Sequence, residues 1–328
     1  MVNGKLGWAV VGCGWVARDY VIPAIRSSRN GQLIAVCDCD ANALALLNGD
    51  DGLRTQHLDR ALEAAGVDAV YVTTPNHAHR PIAQAAAAAG KHVLCEKPMA
   101  ASMDDARAMV ESCQSNGITY ATAFDQRFHA AHRTLARLVR EGALGLITQA
   151  RIHYACWLPP DWATDNWRAD PKRAGGGAMI DLAPHGIDLL EMLLADEWTE
   201  LHALTQQRVH RYAVDDGAVI MGRFSSGTLA TLHVGYNCAE RYPRRTLELI
   251  GTEARALAVD TMGQTPGGSL TLTDAYTGAQ TMVELDDDRS PFLVQVEAFA
   301  DAVLARRPFA FPPEADLRKF ALLEAACR

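Results

Sequence analysis

Asp181 and His185 stand four residues apart, directly after the run Gly175-Gly176-Gly177. On a helix that spacing points both side chains to one face. A carboxylate beside an imidazole can move protons near neutral pH, the imidazole as acid or base and the carboxylate orienting it or binding a hydroxyl. A second string, Gly12-Cys13-Gly14-Trp15-Val16-Ala17, follows the apolar run Gly7–Val11 and opens a helical pattern over Gly14–Arg26. At a strand-to-helix junction, G-x-G-x-x-A is a dinucleotide signature. Gly12 permits the tight turn, Gly14 lets the backbone approach a pyrophosphate, and Ala17 allows close helix–strand packing. The helix N-terminus around Cys13, Trp15 and Val16 offers N–H donors to phosphate.

Asp38 closes the next apolar run, Gln32–Cys37, 21 positions after Ala17. A carboxylate there accepts hydrogen bonds from ribose hydroxyls and repels a 2′-phosphate, and no Arg or Lys occupies positions 39–43. The expectation is therefore NAD rather than NADP, with Asp40 a weaker candidate for the same role. Thr74-Pro75-Asn76-His77-Ala78-His79 and Glu96-Lys97-Pro98 also end predicted strands. Open α/β sheets bind ligands at that edge, which places Lys97 within reach of a nicotinamide.

The elements needed to carry these residues are legible in the patterning. Strands are predicted at Asp68–Thr73, Lys91–Cys95 and Ile118–Ala123, with helices at His79–Ala89 and Met103–Asn116, the latter capped by Ser102. Such alternation implies right-handed βαβ units. The pattern changes after about residue 145. A long strand over Gly145–Tyr154 precedes the glycine run. Paired strands then follow at 218–224 with 228–236, 246–250 with 254–259, and 270–273 with 281–285. Ser290-Pro291 opens a helix with Phe292, Val296, Phe299 and Val303 on one stripe. The chain reads as α/β: an N-terminal Rossmann domain with a doubly wound parallel sheet over residues 1–123, then an α/β domain over 124–328 for substrate binding and oligomerisation. The second domain carries a large, mostly antiparallel open sheet, and the C-terminal helix is placed to pack back on the first domain.

Composition narrows the classes. With 328 residues, 49% hydrophobic, the chain can fill two cores, and its formal charge of −8 argues against a nucleic-acid surface. It has no apolar run long enough to span a membrane and no signal-peptide pattern, so a cytoplasmic location is expected. Eight cysteines are scattered without a C-x-x-C pair, as in reduced thiols packed like small apolar residues. His77/His79 and His129/His132 lack a third ligand at useful spacing, so no metal is expected. Asp286-Asp287-Asp288 reads as a solvated turn and Asp188 as a structural carboxylate. His153 is a candidate for the substrate cleft. The loop 157–174 is rich in tryptophan (Trp157, Trp162, Trp167), whose faces suit either a sugar ring or core packing.

Four motifs in order carry a resemblance: Gly12–Ala17, Thr74–His79, Glu96-Lys97-Pro98 and Gly175–Asp188. The chain resembles the Gfo/Idh/MocA oxidoreductases, a family that includes glucose–fructose oxidoreductase and inositol dehydrogenase, over nearly its whole length. The resemblance implies a catalytic group of Lys97, His185 and Asp181, with Lys97 or His185 as the formal base, and a cis Lys97–Pro98 peptide. It adds Trp167-Arg168 as a loop segment beside cofactor and substrate, and Phe124-Asp125-Gln126-Arg127-Phe128 as a stretch beside both. Relatives often have Asn at the position of Asp125, and Gly at that of Ala183. Pro184 is a further departure, expected either in the first turn of its helix or in a distorted one. The family helix matched by Leu322–Arg328 usually runs on. The activity implied is hydride transfer between a sugar or polyol hydroxyl and NAD, in a homodimer or homotetramer formed through the C-terminal sheet. Three other readings stay open: an NAD-using non-redox glycosidase or eliminase, an aryl-diol dehydrogenase, and a non-catalytic NAD-binding sensor.

Overall fold

The structure, a computed structural model, describes residues 4–49, 52–162, 164, 166–285 and 287–326. Asp286, Cys327 and the last positions of the Leu322–Arg328 segment lie outside the described residues. The chain forms two compact units, Met1–Ala123 with Phe292–Arg318, and Phe124–Pro291 with Lys319–Arg328.

The first unit is a six-stranded parallel sheet of β1 (Leu6–Val11), β2 (Gly31–Cys37), β3 (Leu53–Thr55), β4 (Ala69–Val72), β5 (His92–Glu96) and β6 (Tyr120–Ala123). Their spatial order is β3-β2-β1-β4-β5-β6. All six residues of β1 are buried, so both faces of the sheet are covered and the strand reads as a continuous apolar run. β3 has only three residues, Leu-Arg-Thr, too short and polar to stand out in the sequence. The order reverses between β1 and β4, and the carboxyl edge there is where doubly wound sheets bind ligands. The Pro291–Leu304 helix packs in this unit, with Phe299 against Trp8 at 5.5 Å between ring centroids. Asn30 donates to the Glu297 carbonyl at 2.9 Å and to Asp301 at 2.8 Å.

The second unit is an eight-stranded sheet of β7 (Ile147–Ala155), β8 (Trp198–Gln206), β9 (Gly217–Phe224), β10 (Leu229–Gly235), β11 (Arg245–Gly251), β12 (Ala254–Val259), β13 (Ser269–Asp274) and β14 (Gln280–Met282). The order is β14-β13-β12-β11-β7-β10-β9-β8, antiparallel throughout except for the parallel pair β7/β10. The Ala178–Leu194 helix buries Leu182, Ile187 and Leu190 in one core with Ile152, Tyr154, Leu232 and Val234 from the inner face of the sheet. Trp198 fastens the helix to β8, donating from Nε1 to the Ile187 carbonyl at 2.9 Å. The opposite face of the sheet leaves Leu204, Val219, Met221 and Leu229 exposed.

Candidate active site

In the first unit, the turn after β1 is dictated by contact as well as by φ. Gly12 has φ +96°, and a Cβ on it would lie 2.8 Å from the Thr73 carbonyl carbon and the Thr74 nitrogen. The Thr73 hydroxyl donates to the Gly12 carbonyl at 2.5 Å, locking the ends of β1 and β4 together. Gly14 is different: a Cβ there would meet no protein atom within 4 Å. Among the described residues, apart from its chain neighbours, nothing packs where a Cβ at 14 would lie, so that side of the turn is open. Asp38, at the end of β2, accepts from the Cys13 N–H at 2.6 Å and from the Asp40 N–H at 2.9 Å. It therefore holds the glycine turn in place. Ala17 is fully buried beneath the turn, and Trp15 is exposed.

His79 links the two remaining loops. Its ring nitrogens face the Thr74 carbonyl at 2.9 Å and the Met99 carbonyl at 3.1 Å, and the residue is fully buried. Both nitrogens are turned to backbone carbonyls, one of which the single N–H of a neutral ring can serve, and this corrects the expectation that His79 of the Thr74–His79 motif meets the cofactor. It is a brace between the Thr74–Asn76 turn and the loop after β5. In that loop Lys97 precedes a cis peptide to Pro98. Glu96 accepts from the Tyr71 hydroxyl at 3.0 Å, and that hydroxyl accepts from Gln295 at 2.8 Å.

In the second unit, the Ala178–Leu194 helix is started from a distance. Asp215 accepts the Gly177 and Met179 N–H groups, each at 2.8 Å. The Asp215 backbone lies so close that a Cβ on Gly177 would fall 2.1 Å from its carbonyl oxygen. Asp181 sits in the first turn and His185 one turn on. Pro184 lies inside the helix, past its first turn, and the helix continues through it on the buried face it shares with Ala183 and Ile187. Tyr236, at the end of β10, donates from its hydroxyl to Asp181 at 2.9 Å. Burial, then the Asp181 charge, push the Tyr236 phenol well above its usual range, so it stays a donor.

The carboxylate that faces the His185 Nδ1 is Asp125, with Oδ1 at 3.6 Å. Asp125 is in a short helical turn, Asp125–Phe128, and both it and His185 are buried. The Tyr154 and Phe124 rings meet the imidazole edge-on, at 5.6 and 6.4 Å between centroids. One turn further along the helix, Asp188 accepts from Arg127 Nε at 2.8 Å and Nη2 at 2.5 Å, and from Lys319 Nζ at 2.6 Å. Burial alone would raise the Asp188 pKa; Arg127 and Lys319 overcome it and hold the carboxyl below its ordinary value.

Two substrate assignments from the sequence are corrected here. Arg127 is buried in a bidentate pair with Asp188, so its guanidinium serves the core. His153 faces away from His185: its β7 neighbour Tyr154 points to the helix, and His153 joins a cross-strand row with His233, Val219 and Leu204 on the outer face. Side chains alternate along a strand, so the two faces cannot share one site. His129 and His132 are buried, and burial lowers them to about 4 and about 3; the His132 ring bonds Gln126 and Thr261. Trp167 and Arg168 form a one-turn helix capped by Asn166, with the Arg168 guanidinium 4.3 Å over the Trp167 ring. Trp162 packs on Tyr236 at 5.6 Å, so the loop's aromatic wall leads to Asp181. Tyr236, Asp215 and Lys319 were not anticipated. Only Tyr236 carried a signal, its place at the end of a predicted strand.

Among the described residues, no group of three or more His, Cys, Asp or Glu side chains stands together as metal ligands, and no helix is long and apolar enough to cross a membrane. Residues 6–124 match the oxidoreductase family with an NAD-binding Rossmann fold, and residues 132–257 match the GFO/IDH/MocA C-terminal domain. The 1,5-anhydro-D-fructose reductase of Ensifer adhaerens is 34% identical over 276 residues, 83% of this chain and 81% of that protein. The chain belongs to the GFO/IDH/MocA family of oxidoreductases. D-xylose 1-dehydrogenase (NADP(+)) 2 of Haloferax volcanii is 29% identical over 305 residues, 92% of this chain and 89% of that protein. The aldose–aldose oxidoreductase of Caulobacter crescentus, solved with glycerol, superposes with a TM-score of 0.88 at 25% identity, covering 99% of this chain and 97% of that one. This GFO/IDH/MocA member thus has an NAD(P)-binding Rossmann domain. The Gly12 turn, the open side of Gly14 and the Asp38 carboxylate fit a dinucleotide.

Proposed function

We propose that this GFO/IDH/MocA oxidoreductase oxidises or reduces a secondary hydroxyl of a sugar or polyol, using NAD in preference to NADP. The observation that carries the reading is the buried group around His185, with Asp181 and Tyr236 beside it, in a family oxidoreductase. The Gly12–Ala17 turn, Asp38, the Thr74–Asn76 turn and the Glu96-Lys97-Pro98 loop would hold the dinucleotide, with Trp167 and Arg168 added by family resemblance. When bound, that cofactor supplies a hydride acceptor or donor at nicotinamide C4. In the oxidising direction, the hydroxyl proton passes to a base of this chain as the carbinol carbon loses hydride and the carbonyl forms. His185 suits that role because an imidazole exchanges protons near neutral pH. Lys97, by resemblance, holds the reacting oxygen and stabilises negative charge on it. Asp181, fixed by Tyr236, accepts a substrate hydroxyl.

The preference for NAD is supported by Asp38 and by the absence of Arg or Lys at 39–43. Sugars as substrates are supported by the names of the two relatives, which act on 1,5-anhydro-D-fructose and D-xylose. Assembly into a homo-oligomer through the outer sheet face is supported by Leu204, Met221 and Leu229, exposed on it. The test is a screen of the purified protein with NAD or NADP against 1,5-anhydro-D-glucitol, D-xylose, levoglucosan and myo-inositol, followed by NADH absorbance. Turnover is expected with NAD at the higher kcat/KM. His185→Ala should cut kcat about 100-fold or more with NAD affinity intact. Near-normal turnover in that variant would end the assignment of His185, and a higher kcat/KM with NADP would end the cofactor preference.

A further inference from the structure

We propose that Asp125, rather than Asp181, is the carboxylate that orients and charges the His185 imidazole. The inference rests on the reading of His185 as the proton-transfer group. The two carboxylates are held in different ways. Asp181 is half-buried and takes the Tyr236 hydroxyl at 2.9 Å. Asp125 is buried, and its Oδ1 lies 3.6 Å from His185 Nδ1. Its other oxygen accepts from Gln126 Nε2 at 2.8 Å, and the same amide donates to the Gly263 carbonyl at 3.0 Å. The main-chain carbonyl of Gln126 is met by the His132 ring at 2.9 Å, whose second nitrogen is 3.0 Å from the Thr261 hydroxyl. The 261–263 segment thus sets where the Asp125 carboxylate sits.

A buried carboxylate is costly unless charge or hydrogen bonds meet it. Facing Nδ1, it favours a proton on that nitrogen and leaves Nε2 with the lone pair that takes the substrate's proton. When His185 becomes imidazolium, the same charge stabilises it. Three other groups of this unit lie near the ring or along its helix. Burial, then the Asp125 charge, raise the Tyr154 phenol, so it faces His185 neutral, with Arg245 acting on it in the opposite direction. Asp188, one turn along the helix, is matched by Arg127 and Lys319. Asp181 is one turn earlier, on Tyr236. Asp125 is a positioning residue by this argument, because it acts through His185.

The test is 15N NMR of histidine-labelled full-length protein, without ligand and with NAD, the His185 signals being assigned by their loss in His185→Gln. In the native protein, neutral His185 should carry its proton on Nδ1; an Nε2–H tautomer overturns the proposal without any variant. Asp125→Asn keeps the shape and an acceptor for Gln126, and should lower the His185 titration midpoint by about one pH unit. Asp125→Ser, smaller and also neutral, should do the same, and Asp125→Glu should retain most of the native midpoint. Asp181→Asn should move it less. An unchanged midpoint in the neutral Asp125 variants, or a larger shift in Asp181→Asn, overturns the proposal while leaving His185 as the base. An Asp125-dependent titration beside near-normal turnover in His185→Ala would instead sink the proposed function and spare the pairing.

Discussion

The glycine turn of the first unit and the charged cluster of the second are built by different means. Around Gly12 and Gly14 the parts are backbone: a turn pressed against Thr73 and Thr74, an open Cβ position, and an N–H of Cys13 bonded to Asp38 only 25 residues away. Around His185 the parts are buried side chains brought together from afar. Asp188 meets Arg127 and Lys319 across 61 and 131 residues, and Asp181 meets Tyr236 across 55. A backbone site is sensitive to added atoms, whereas a buried charged site is sensitive to any group taken away. The contrast yields predictions that differ in kind between the units.

The largest effect is expected at Asp188. Asp188→Ala removes the carboxylate shared by Arg127 and Lys319 and leaves their charges buried. Breaking such a pair costs about 3–5 kcal/mol, so urea or thermal melts should show the second unit strongly destabilised. Adding Arg127→Met to Asp188→Leu should recover part of that loss. The pH dependence has a definite sign. The Asp188 carboxyl is held below its ordinary value, so its stabilisation is present above that ordinary value and is lost as pH falls through the lowered one. Asp188→Ala should therefore flatten the acid side of the stability curve. A loss below about 1 kcal/mol would mean that the cluster is not the buried network described here.

The same contrast explains what the sequence disclosed. The Gly12–Ala17 string, Asp38 and the strand edges at Thr74 and Lys97 are local patterns, each set by the backbone needs of one strand-to-helix turn. They could be placed without knowing the rest of the fold. The hairpins of the second sheet were legible for the same reason, their turns lying between alternating runs. The partners of Asp188 and Asp181 were not, because no spacing rule links a lysine at 319 or a tyrosine at 236 to a helix at 178–194. Nearness to a motif does not give direction: Arg127 is paired with Asp188 in the core, and His153 has the strand parity opposite to Tyr154. Asp125 was placed near the chemistry by resemblance, but its imidazole partner emerges only when the Asp125–Phe128 turn is seen beside the helix.

A middle-sized effect tests the backbone site by adding one methyl at two neighbouring glycines. Gly12→Ala must place a side chain at φ +96° and 2.8 Å from the backbone of Thr73 and Thr74. A cost of about 1–3 kcal/mol in stability is expected, with loss of NAD binding. Gly14→Ala meets no protein atom within 4 Å, so stability should stay within about 0.5 kcal/mol of native. Its NAD affinity should nevertheless fall roughly tenfold or more, equivalent to about 1.4 kcal/mol, by calorimetric titration. Native NAD affinity in Gly14→Ala would show that no ligand backbone uses that opening.

The smallest effect joins the two kinds of site. Asp215 caps the helix that carries Asp181 and His185, through backbone N–H groups at 177 and 179. Burial holds its carboxyl above the ordinary value while those N–H groups pull it down, so part of the capping gain is spent on desolvation. The loss in Asp215→Ala should then sit near 1 kcal/mol, within the range for a helix cap, and Asp215→Asn should lose less because its amide oxygen still accepts one N–H. The kinetic consequence separates the units. With the start of the helix loosened, kcat should fall several-fold, while NAD affinity, proposed for the ends of β1, β2, β4 and β5, stays native. If NAD affinity falls in step with kcat, the helix start serves cofactor binding and the division between the two sites is wrong.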